Sequence, residues 1–410
     1  MNKHTRRMVG AAAVAIVIGT GIPEVLALGF RNPDQGAAAT AQGNAFVAQA
    51  DDATAVYYNP AGLTQIQGTE IANGGDLFFP DNQLKGAGSG AEMHTISLTP
   101  HMYATTDFGM KSPWRFGIGV NVPFGNEAVY SSSGPFQDIV TKADLQVINI
   151  QPTVAYQFNE HLSLGAGLNV YDAYTELNNH VAGVPDGHFH FDGDGVSFGA
   201  TAGLLWKITP QHSVGVVYRS PFTANFRGPV EVKIPAFDVA GSHDALGSIN
   251  FPQTVAAGYA FRPVPKLKLE ADIEWTDWQT LNQLTLHAPG SMANGESIHF
   301  DWMASFLYEF GAQYELNEHW KVRGGFIYSE NSVPDTTFSP SVPDSTRYVL
   351  STGFGYTSTR FSIDATYQHT FADDRTVGSS PERIENGLTA ADGTWQISAN
   401  AVLITLGLKF

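Results

Sequence analysis

From Gly68 to the C-terminus, apolar residues recur at every second position. Between residues 267 and 275 the apolar side chains alternate with four charged ones, Lys268, Glu270, Asp272 and Glu274. The same period recurs at 306–314 and 361–367. Because successive side chains of a strand point to opposite faces, this period indicates strands with one apolar face. Helix-period patterns are missing from this region, so the sequence predicts an all-β chain and disfavours a helical transporter or an α/β enzyme.

The connections between these strands alternate in length. Short turns lie near 159–161 and 317–319, and longer loops lie between them, for example at 125–143 and 178–191. Short turns at one end of a sheet and long loops at the other are typical of a bacterial outer-membrane barrel. The predicted fold is therefore a transmembrane antiparallel β-barrel of about 14 strands, with both termini on the short-turn, periplasmic side.

The C-terminal residues show a further feature of barrels. Val402, Ile404, Leu406 and Leu408 form an apolar face that ends in Phe410. Outer-membrane barrels commonly present such an aromatic ending to their assembly machinery, so we predict Phe410 as the assembly signal and this machinery as a partner. Tryptophans near predicted strand ends are expected in the interfacial girdles. These are Trp114, Trp275, Trp278, Trp320 and Trp395.

Residues 1–27 are predicted to be a signal peptide. Three cations precede an apolar segment at 8–22 that is too short to span a bilayer. Val25-Leu26-Ala27 supplies small residues before the expected cleavage after Ala27. An uncleaved membrane anchor is the alternative.

Composition excludes several classes of function. The chain has 410 residues, no cysteine and a formal net charge of −17. Disulfides and thiolate metal sites are excluded, and the acidic balance argues against nucleic acid as a partner. The run from His188 to Asp194 fits neither an EF-hand nor a standard zinc site, so we expect a solvated loop there and no metal or other cofactor. No credible catalytic triad is present, so we expect no enzyme activity.

Residues 51–63, Asp-Asp-Ala-Thr-Ala-Val-Tyr-Tyr-Asn-Pro-Ala-Gly-Leu, are the one clear helical insert. The carboxylate of Asp51 or Asp52 can cap a short helix. The ring of Pro60 disfavours helical geometry at the preceding residue, so the helix should break near Asn59 into a tight turn. Asp34 can cap an earlier helical piece. Residues 28–67 are rich in small side chains suited to a confined space, and a helical terminus outside the fold is the alternative.

This stretch resembles the N-terminal hatch of the FadL family of outer-membrane channels, which carry long-chain fatty acids and, in some members, aromatic hydrocarbons. The resemblance rests on the run Asp52-Ala53-Thr54-Ala55, two aromatics, and Asn59-Pro60-Ala61-Gly62-Leu63. It implies that residues 28–67 are a hatch plugging a barrel formed by residues 68–410. It also implies a hatch motif at Asp52, Asn59, Pro60, Ala61 and Gly62.

In that family, extracellular loops capture the ligand, the hatch blocks the lumen, and a kink in the third strand opens a gap for lateral exit into the membrane. Carried over to this chain, the kink falls at Pro123, Phe124 and Gly125, after a predicted third strand at 114–122. Proline removes a ladder donor and glycine permits a bulge, so a wall defect is reasonable here. The alternative is that these residues end the strand.

Two neighbouring long loops carry apolar residues that could form a ligand-capture groove. The candidates are Val129, Tyr130, Phe136, Ile139, Val140, Phe189 and Phe191. Mutual packing that shapes the loops is the alternative.

We therefore predict a monomer in the outer membrane, in contact with lipid and lipopolysaccharide, that passively transports hydrophobic small molecules, above all long-chain fatty acids. A polar-solute porin and a non-transporting receptor or adhesin are the rival functions.

Overall fold

A computed structural model of the protein describes residues 29–86, 91–93, 95–378 and 391–410. The predicted signal peptide and its cleavage site lie outside the described residues. Among these residues the helical elements are short: α-helices at Ala37–Thr40 and Ala55–Tyr58, and 3₁₀ helices at Pro60–Gln65, Pro235–Phe237, Trp278–Thr280 and Asp335–Thr337. No helix in the described ranges is long and apolar enough to span a membrane.

The strands are β1 (Thr69–Leu84), β2 (Ser97–Thr106), β3 (Trp114–Val129), β4 (Lys142–Gln157), β5 (Leu162–His180), β6 (His188–Thr209), β7 (His212–Arg219), β8 (Phe222–Ile234), β9 (Val239–Phe251), β10 (Thr254–Val264), β11 (Leu267–Thr276), β12 (Gln283–Thr285), β13 (Ser297–His299), β14 (Ser305–Glu315), β15 (Trp320–Ser329), β16 (Arg347–Thr357), β17 (Phe361–Ala372), β18 (Arg375–Val377) and β19 (Gly393–Lys409).

Fourteen of these strands form a closed antiparallel barrel. Their order around the wall is β1 to β7, then β10, β11, β14 to β17 and β19. The ring closes where β1 pairs with β19, from Glu70↔Lys409 to Leu84↔Trp395. Closure joins the first and last strands of the wall, so neither leaves an open sheet edge to lipid, which would penalise it heavily. The predicted fold class and strand number are confirmed.

The burial pattern of the wall is that of a membrane barrel. On β11 the apolar Leu269 and Ile273 are 38% and 39% exposed, whereas the acidic Asp272 is 4% exposed. Apolar side chains thus point outward and polar ones point into the lumen, the reverse of a soluble protein. The outward apolar face of β19, including Leu406 and Leu408, follows the same rule.

Strands continue into several regions expected to be loops. The β8–β9 hairpin is inserted between β7 and β10, and it pairs with the first part of β6, for example at Phe191↔Val230. The run that begins at His188 is therefore strand rather than the solvated loop we expected, because its backbone pairs on both sides. Within the described ranges, no group of three or more His, Asp or Glu side chains is placed to hold a metal ion.

Residues 29–67, here called the N-terminal segment, make one circuit of the inner wall. From residue 32 onward the segment contacts β3, then β19 and β17, then β11, and finally β4, β6 and β5. Wall glycines allow this close approach, because a methyl group on each would crowd the atoms of the segment. They are Gly117, Gly119, Gly165, Gly203, Gly215, Gly311, Gly325 and Gly353.

Asp34 does not cap the first helix. The N-cap of helix Ala37–Thr40 is Gly36, and the first helical N–H, that of Ala37, donates to Thr405 Oγ1 of β19 at 3.0 Å. The Asp34 carboxylate instead accepts a hydrogen bond from Asn44 Nδ2 at 2.7 Å. Burial raises the pKa of Asp34, although its hydrogen bonds from Asn44 and Gln368 oppose this. The prediction failed because Thr405 supplies the acceptor at the helix start, while Asn44 binds the Asp34 carboxylate.

Two of the five tryptophans are not in the interfacial girdles. Trp278 and Trp395 are fully buried. The ring of Trp278 packs edge-on against Phe30, with centroids 6.1 Å apart, and Trp395 stacks on Phe136 at 5.4 Å. Both lie where extracellular loops fold over the barrel mouth, so packing overrides the interfacial preference. Three others, Trp114, Trp275 and Trp320, lie near strand ends and remain partly or well exposed.

Candidate functional site

In this described stretch neither Asp51 nor Asp52 caps helix Ala55–Tyr58 as expected, because the N-cap residue is Thr54 and no side-chain cap bond is formed. Asp52 instead closes a local turn just before the helix. Asp52 Oδ1 accepts hydrogen bonds from the backbone N–H of Thr54 at 2.8 Å and from its hydroxyl at 2.5 Å. The helix Ala55–Tyr58 follows and ends at Asn59, whose backbone is extended (φ −157°, ψ 106°). The 3₁₀ helix Pro60–Gln65 then carries Ala61 and Gly62. The break before Pro60 is where the sequence predicted it.

The side chain of Asn59 joins the turn to the rest of the barrel. Asn59 is fully buried, and its Nδ2 donates to Val47 O at 2.8 Å and to Leu204 O on β6 at 3.0 Å. Its Oδ1 accepts from the backbone N–H of Ala61 at 3.1 Å. Both ends of one amide are therefore in use, as a buried amide requires. Pro60 packs directly on Gly165 of β5.

Two tyrosines before Asn59 were present in the sequence motif, but we assigned them no contacts. Tyr58 Oη accepts from the backbone N–H of Gln35 at 3.0 Å and lies 3.0 Å from Pro33 O. Burial raises the pKa of Tyr58 well above its ordinary value, so the hydroxyl stays protonated. The Arg219 guanidinium lies 4.6 Å above the Tyr57 ring and donates to Tyr57 O at 2.6 Å.

A buried ion pair that sequence reasoning missed lies beside these tyrosines. Arg31 Nη2 is 2.6 Å from Glu274 Oε2, and Arg219 Nη1 is 3.7 Å from the same oxygen. Burial alone would lower the pKa of Arg31, but the charge of Glu274, together with those of Tyr57 and Glu309, outweighs this and raises it. Arg31 and Glu274 are 243 residues apart in the chain, and no local sequence signal links them.

The third strand contains a bulge at the predicted kink. β3 runs without a break from Trp114 to Val129, so the predicted end at residue 122 is wrong, and so is the alternative that Pro123 to Gly125 end the strand. The pairing with β4 shifts between Asn121↔Asn149 and Phe124↔Val147. Three steps on β3 match two on β4, which leaves one extra residue on β3 at Val122 or Pro123.

The wall is interrupted between β2 and β3 beside this bulge. Pairing of the two strands ends at Met102↔Val120, and within the described residues the upper part of β3 pairs with a strand only on its β4 side. The N-terminal segment takes the free edge instead. Asn32 N–H donates to Pro123 O, and Gly125 N–H donates to Phe30 O, both at 2.8 Å. The N-terminal segment therefore fills a gap in the barrel wall.

Aromatic side chains surround Phe30 on the lumen side of the gap. The Phe30 ring lies 5.0 Å from Trp302, 6.1 Å from Trp278 and 6.2 Å from Phe300, measured between centroids. Phe124, on the bulge itself, packs edge-on against Phe251 at 4.9 Å. This region can accommodate an apolar group wherever Phe30 is displaced.

The extracellular loops form a groove of about 460 Å³. Of the predicted capture residues, Ile139, Val140 and Phe189 line it. Sequence reasoning missed the other apolar lining residues because they come from separate hairpins and converge only in the folded protein. They are Leu177, Val232, Ile234, Leu284, Leu286, Met292, Ala293 and Ile298.

The remaining predicted capture residues lie elsewhere. Tyr130, Phe136 and Phe191 are buried beneath the loops, where Phe136 packs against Tyr130 at 4.9 Å. Tyr130 Oη also donates to Pro340 O at 3.1 Å. Val129 lies at the end of β3, outside the groove lining. Some of the predicted residues therefore line a groove, and others pack against each other beneath the loops. Each of the two interpretations holds for different residues.

One cluster of buried apolar side chains connects the groove with the bulge. It contains Val140, Val232 and Leu286 of the groove wall, and also Phe30 and Phe124 at the gap. Its members are in van der Waals contact, so an apolar environment continues from the outer groove to the wall gap.

Comparison with known proteins gives consistent results. A family model described as outer membrane protein transport protein (OMPP1/FadL/TodX) matches residues 22–410. The long-chain fatty acid transport protein of Escherichia coli is 22% identical over 370 residues, covering 78% of this chain and 82% of that protein. Outer membrane protein P1 of Haemophilus influenzae is 22% identical over 423 residues, covering 88% and 90%.

Solved structures share the fold. A Pseudomonas aeruginosa FadL homologue has a TM-score of 0.81 at 18% identity, over 93% of this chain and 100% of that one. The Ralstonia pickettii toluene transporter TbuX has a TM-score of 0.73 at 17% identity, over 92% and 99%. The expected outer-membrane location is confirmed by the family match and the barrel together. This chain belongs to the OMPP1/FadL/TodX family of outer-membrane transport proteins, which act on hydrophobic compounds.

Proposed function

We propose that this barrel carries long-chain fatty acids passively across the outer membrane by loop capture, rearrangement of the N-terminal segment and lateral exit at the β3 bulge. The observation that carries the proposal is the apolar cluster that runs from the outer groove to the wall gap. A ligand on this route stays in apolar surroundings. An aqueous lumen would instead cost an acyl chain about 0.8 kcal/mol per exposed CH₂.

The groove supports the capture step. Its volume of about 460 Å³ lies within the range typical of small-molecule sites. Met292 and Ile298 at its mouth are 63% and 46% exposed, so apolar surface is open to a ligand arriving from outside.

The contacts of Phe30 support the rearrangement step. Its ring occupies the apolar space beside the gap, where a ligand would replace it. Exit requires the two backbone hydrogen bonds between residues 30–32 and β3 to break. Each contributes about 0.5–1.5 kcal/mol net, so binding of an apolar ligand can offset their loss.

A second candidate cargo is an aromatic hydrocarbon. The rings of Trp278, Trp302 and Phe300 around Phe30 suit a flat apolar ligand. One structural neighbour is a toluene transporter. We place fatty acids first because the relatives in sequence include long-chain fatty acid transport proteins.

A polar-solute porin fits the interior less well. The segment 37–65 packs against the wall on nearly every side and is buried over most of its length. Under the proposal it is a plug, and the channel acts as a monomer without enzyme activity.

Phe410, whose backbone N–H donates to Thr69 O at 2.9 Å, is the assembly signal for the barrel machinery. Acidic loop side chains contact lipopolysaccharide through divalent cations.

Uptake by whole cells tests the proposal. Cells that lack their own fatty-acid channel receive this protein, and uptake of a labelled long-chain fatty acid is compared with uptake of labelled toluene and of a small sugar. The proposal predicts fatty-acid uptake above the empty-vector level and no gain for the sugar. A gain for the sugar alone would show a porin, and no gain for any solute would indicate a receptor.

A further inference from the structure

One wall strand contacts the N-terminal segment at four successive inward positions. β11 faces the lumen with Lys268, Glu270, Asp272 and Glu274, which lie two residues apart on one face. At the two ends of this row, Lys268 forms an ion pair with Asp51, and Glu274 forms one with Arg31 at 2.6 Å.

The two central carboxylates bind backbone N–H groups. Asp272 Oδ2 accepts from the N–H groups of Phe46 and Val47, both at 2.9 Å. Glu270 Oε1 accepts from the next two N–H groups along the chain, at 2.6 and 3.2 Å. Four consecutive amides of the segment therefore donate to two side chains of one strand.

These amides need acceptors from outside their own turn. Ala50 N–H donates to Phe46 O at 2.9 Å, so residues 46–50 form a single helical turn. The first N–H groups of such a turn have no acceptor within it. Here they are buried, and an unpaired buried N–H is costly, so the carboxylates of β11 supply what the turn lacks.

The same turn is held from its other side. Val47 O accepts from Asn59 Nδ2 at 2.8 Å, and Ala48 O accepts from Ser213 Oγ at 3.0 Å. Gly215 of β7 lets the turn lie directly against the wall, because a methyl group there would overlap Val47 O. The turn is thus fixed in position on both its N–H and its C=O sides.

The acids are a poor choice for stability of the wall alone. Glu270 and Asp272 are both nearly fully buried, and their carboxyl groups stand at adjacent inward positions of one face. Each carboxyl group uses one oxygen for the amides of the segment, and the two side chains also interact with each other. Buried carboxylates in this arrangement are unfavourable unless they bind something that apolar side chains could not.

We propose that Glu270 and Asp272 are positioning residues that seat the turn at 46–49, and through Val47 also seat Asn59 of the motif. This inference rests on the proposed role of residues 29–67 as a plug. In that role, the two carboxylates determine where the plug lies and keep the lumen closed.

Hydrogen–deuterium exchange of the purified full-length barrel tests the proposal. The amides of residues 46–49 in the unsubstituted protein are expected to exchange as slowly as those of the strands. Asp272→Leu keeps a similar volume without an acceptor, and it should speed exchange of Phe46 and Val47 by about tenfold or more. Asp272→Asn keeps an acceptor oxygen without the charge, so it should retain most of the protection.

Glu309 provides the matched control. It lies opposite Asp272 on β14 and is 5% exposed against 4% for Asp272, but no hydrogen bond between described residues joins it to the turn. Glu309→Gln should leave exchange of residues 46–49 unchanged. The positioning role is wrong if Asp272→Leu folds and its residues 46–49 exchange as slowly as in the unsubstituted protein. It is also wrong if these residues exchange as fast in Asp272→Asn as in Asp272→Leu.

Two further readouts keep the result interpretable. If Asp272→Leu does not fold, the other two proteins still decide the question. Fast exchange of residues 46–49 in the unsubstituted protein would overturn the proposal. Slow exchange of these residues both there and in Asp272→Asn would support it. Single-channel conductance of Asp272→Leu should rise above that of the unsubstituted barrel. The conductance of Asp272→Asn should be as low as that of the unsubstituted barrel. Hydrogen exchange measures only how firmly residues 46–49 are held against the wall. If the unsubstituted protein takes up no fatty acid, that result counts only against the proposed function.

Discussion

Asn59 and Asp272 hold the same residue from opposite sides. Asn59 Nδ2 donates to Val47 O at 2.8 Å, and Asp272 Oδ2 accepts from Val47 N–H at 2.9 Å. The first belongs to the turn before Pro60 and the second to the wall strand β11, more than 200 residues later in the chain. The motif is therefore one half of an attachment whose other half lies in the barrel.

Asn59→Ala tests the motif side of this attachment. The substitution leaves Val47 O and Leu204 O without their side-chain donor, and the loss at the buried Val47 O costs about 1–3 kcal/mol. We expect a loosened N-terminal segment and reduced fatty-acid uptake. The strand ladder is untouched, so the barrel should still assemble, as shown by heat-dependent mobility on a gel.

Gln67→Ala is the control for that substitution, because Gln67 is exposed at the end of the same segment. Its uptake should equal that of the unsubstituted protein. Full uptake by a correctly folded Asn59→Ala barrel would contradict a role of the motif in transport.

Deletion of Pro123 tests the wall gap. Removing one residue restores equal spacing between Asn121↔Asn149 and Phe124↔Val147 and so abolishes the bulge. We expect a folded barrel with little uptake. Pro123→Ala keeps the residue count and should retain most of the uptake. Equal uptake by the deletion variant would mean that cargo leaves elsewhere or passes down the lumen.

A neighbouring pair on β13 tests the groove. Ile298 lines it, whereas the next residue, His299, is exposed but lies outside the lining. Ile298→Asp should weaken binding of a fluorescent fatty acid by about five- to tenfold, since an apolar contact of order 1 kcal/mol is lost. His299→Asp should leave the dissociation constant unchanged. Equal effects of both substitutions would place capture outside this groove.

The ion pair between Asp51 and Lys268 predicts a specific pH dependence. Partial desolvation raises the pKa of Asp51, but the ion pair and hydrogen bond with Lys268, together with the charge of Lys321 and a hydrogen bond from Gln49, outweigh this and lower the pKa to about 2. Because the folded-state pKa lies below the ordinary value of about 3.9, the pair stabilises the segment above about pH 4 and is lost as the pH falls through about 2.

Carbon NMR of the Asp51 carboxyl group during acid titration measures this pKa. Lys268→Met removes the cation but leaves the burial, so the pKa should rise to its ordinary value or above. An ordinary pKa in the unsubstituted protein would show that the ion pair does not form in solution.

The sequence was sufficient for the parts of the protein that depend on local pattern. Alternation at 267–275 predicted β11, and Pro60 predicted the break at Asn59, because both follow from backbone geometry. The bulge at Pro123 was one of two readings, since proline and glycine also end strands. Only pairing with β4 decides between them.

Contacts between distant residues could not be predicted in this way. Nothing near Glu274 or Arg31 in the chain indicates the other. Trp278 and Trp395 resemble girdle residues in sequence, and only the folding of loops over the barrel mouth buries them. The groove likewise depends on hairpins such as β8–β9 and β12–β13, whose convergence is a property of the whole fold.

The central claim is that the lumen is plugged and that hydrophobic cargo leaves through the wall. Single-channel conductance of the purified barrel, measured beside fatty-acid uptake by cells that express it, tests this most directly. The account predicts uptake with little conductance. Steady conductance without uptake would contradict it, and residues 29–67 would then be a lining of an open porin rather than a plug.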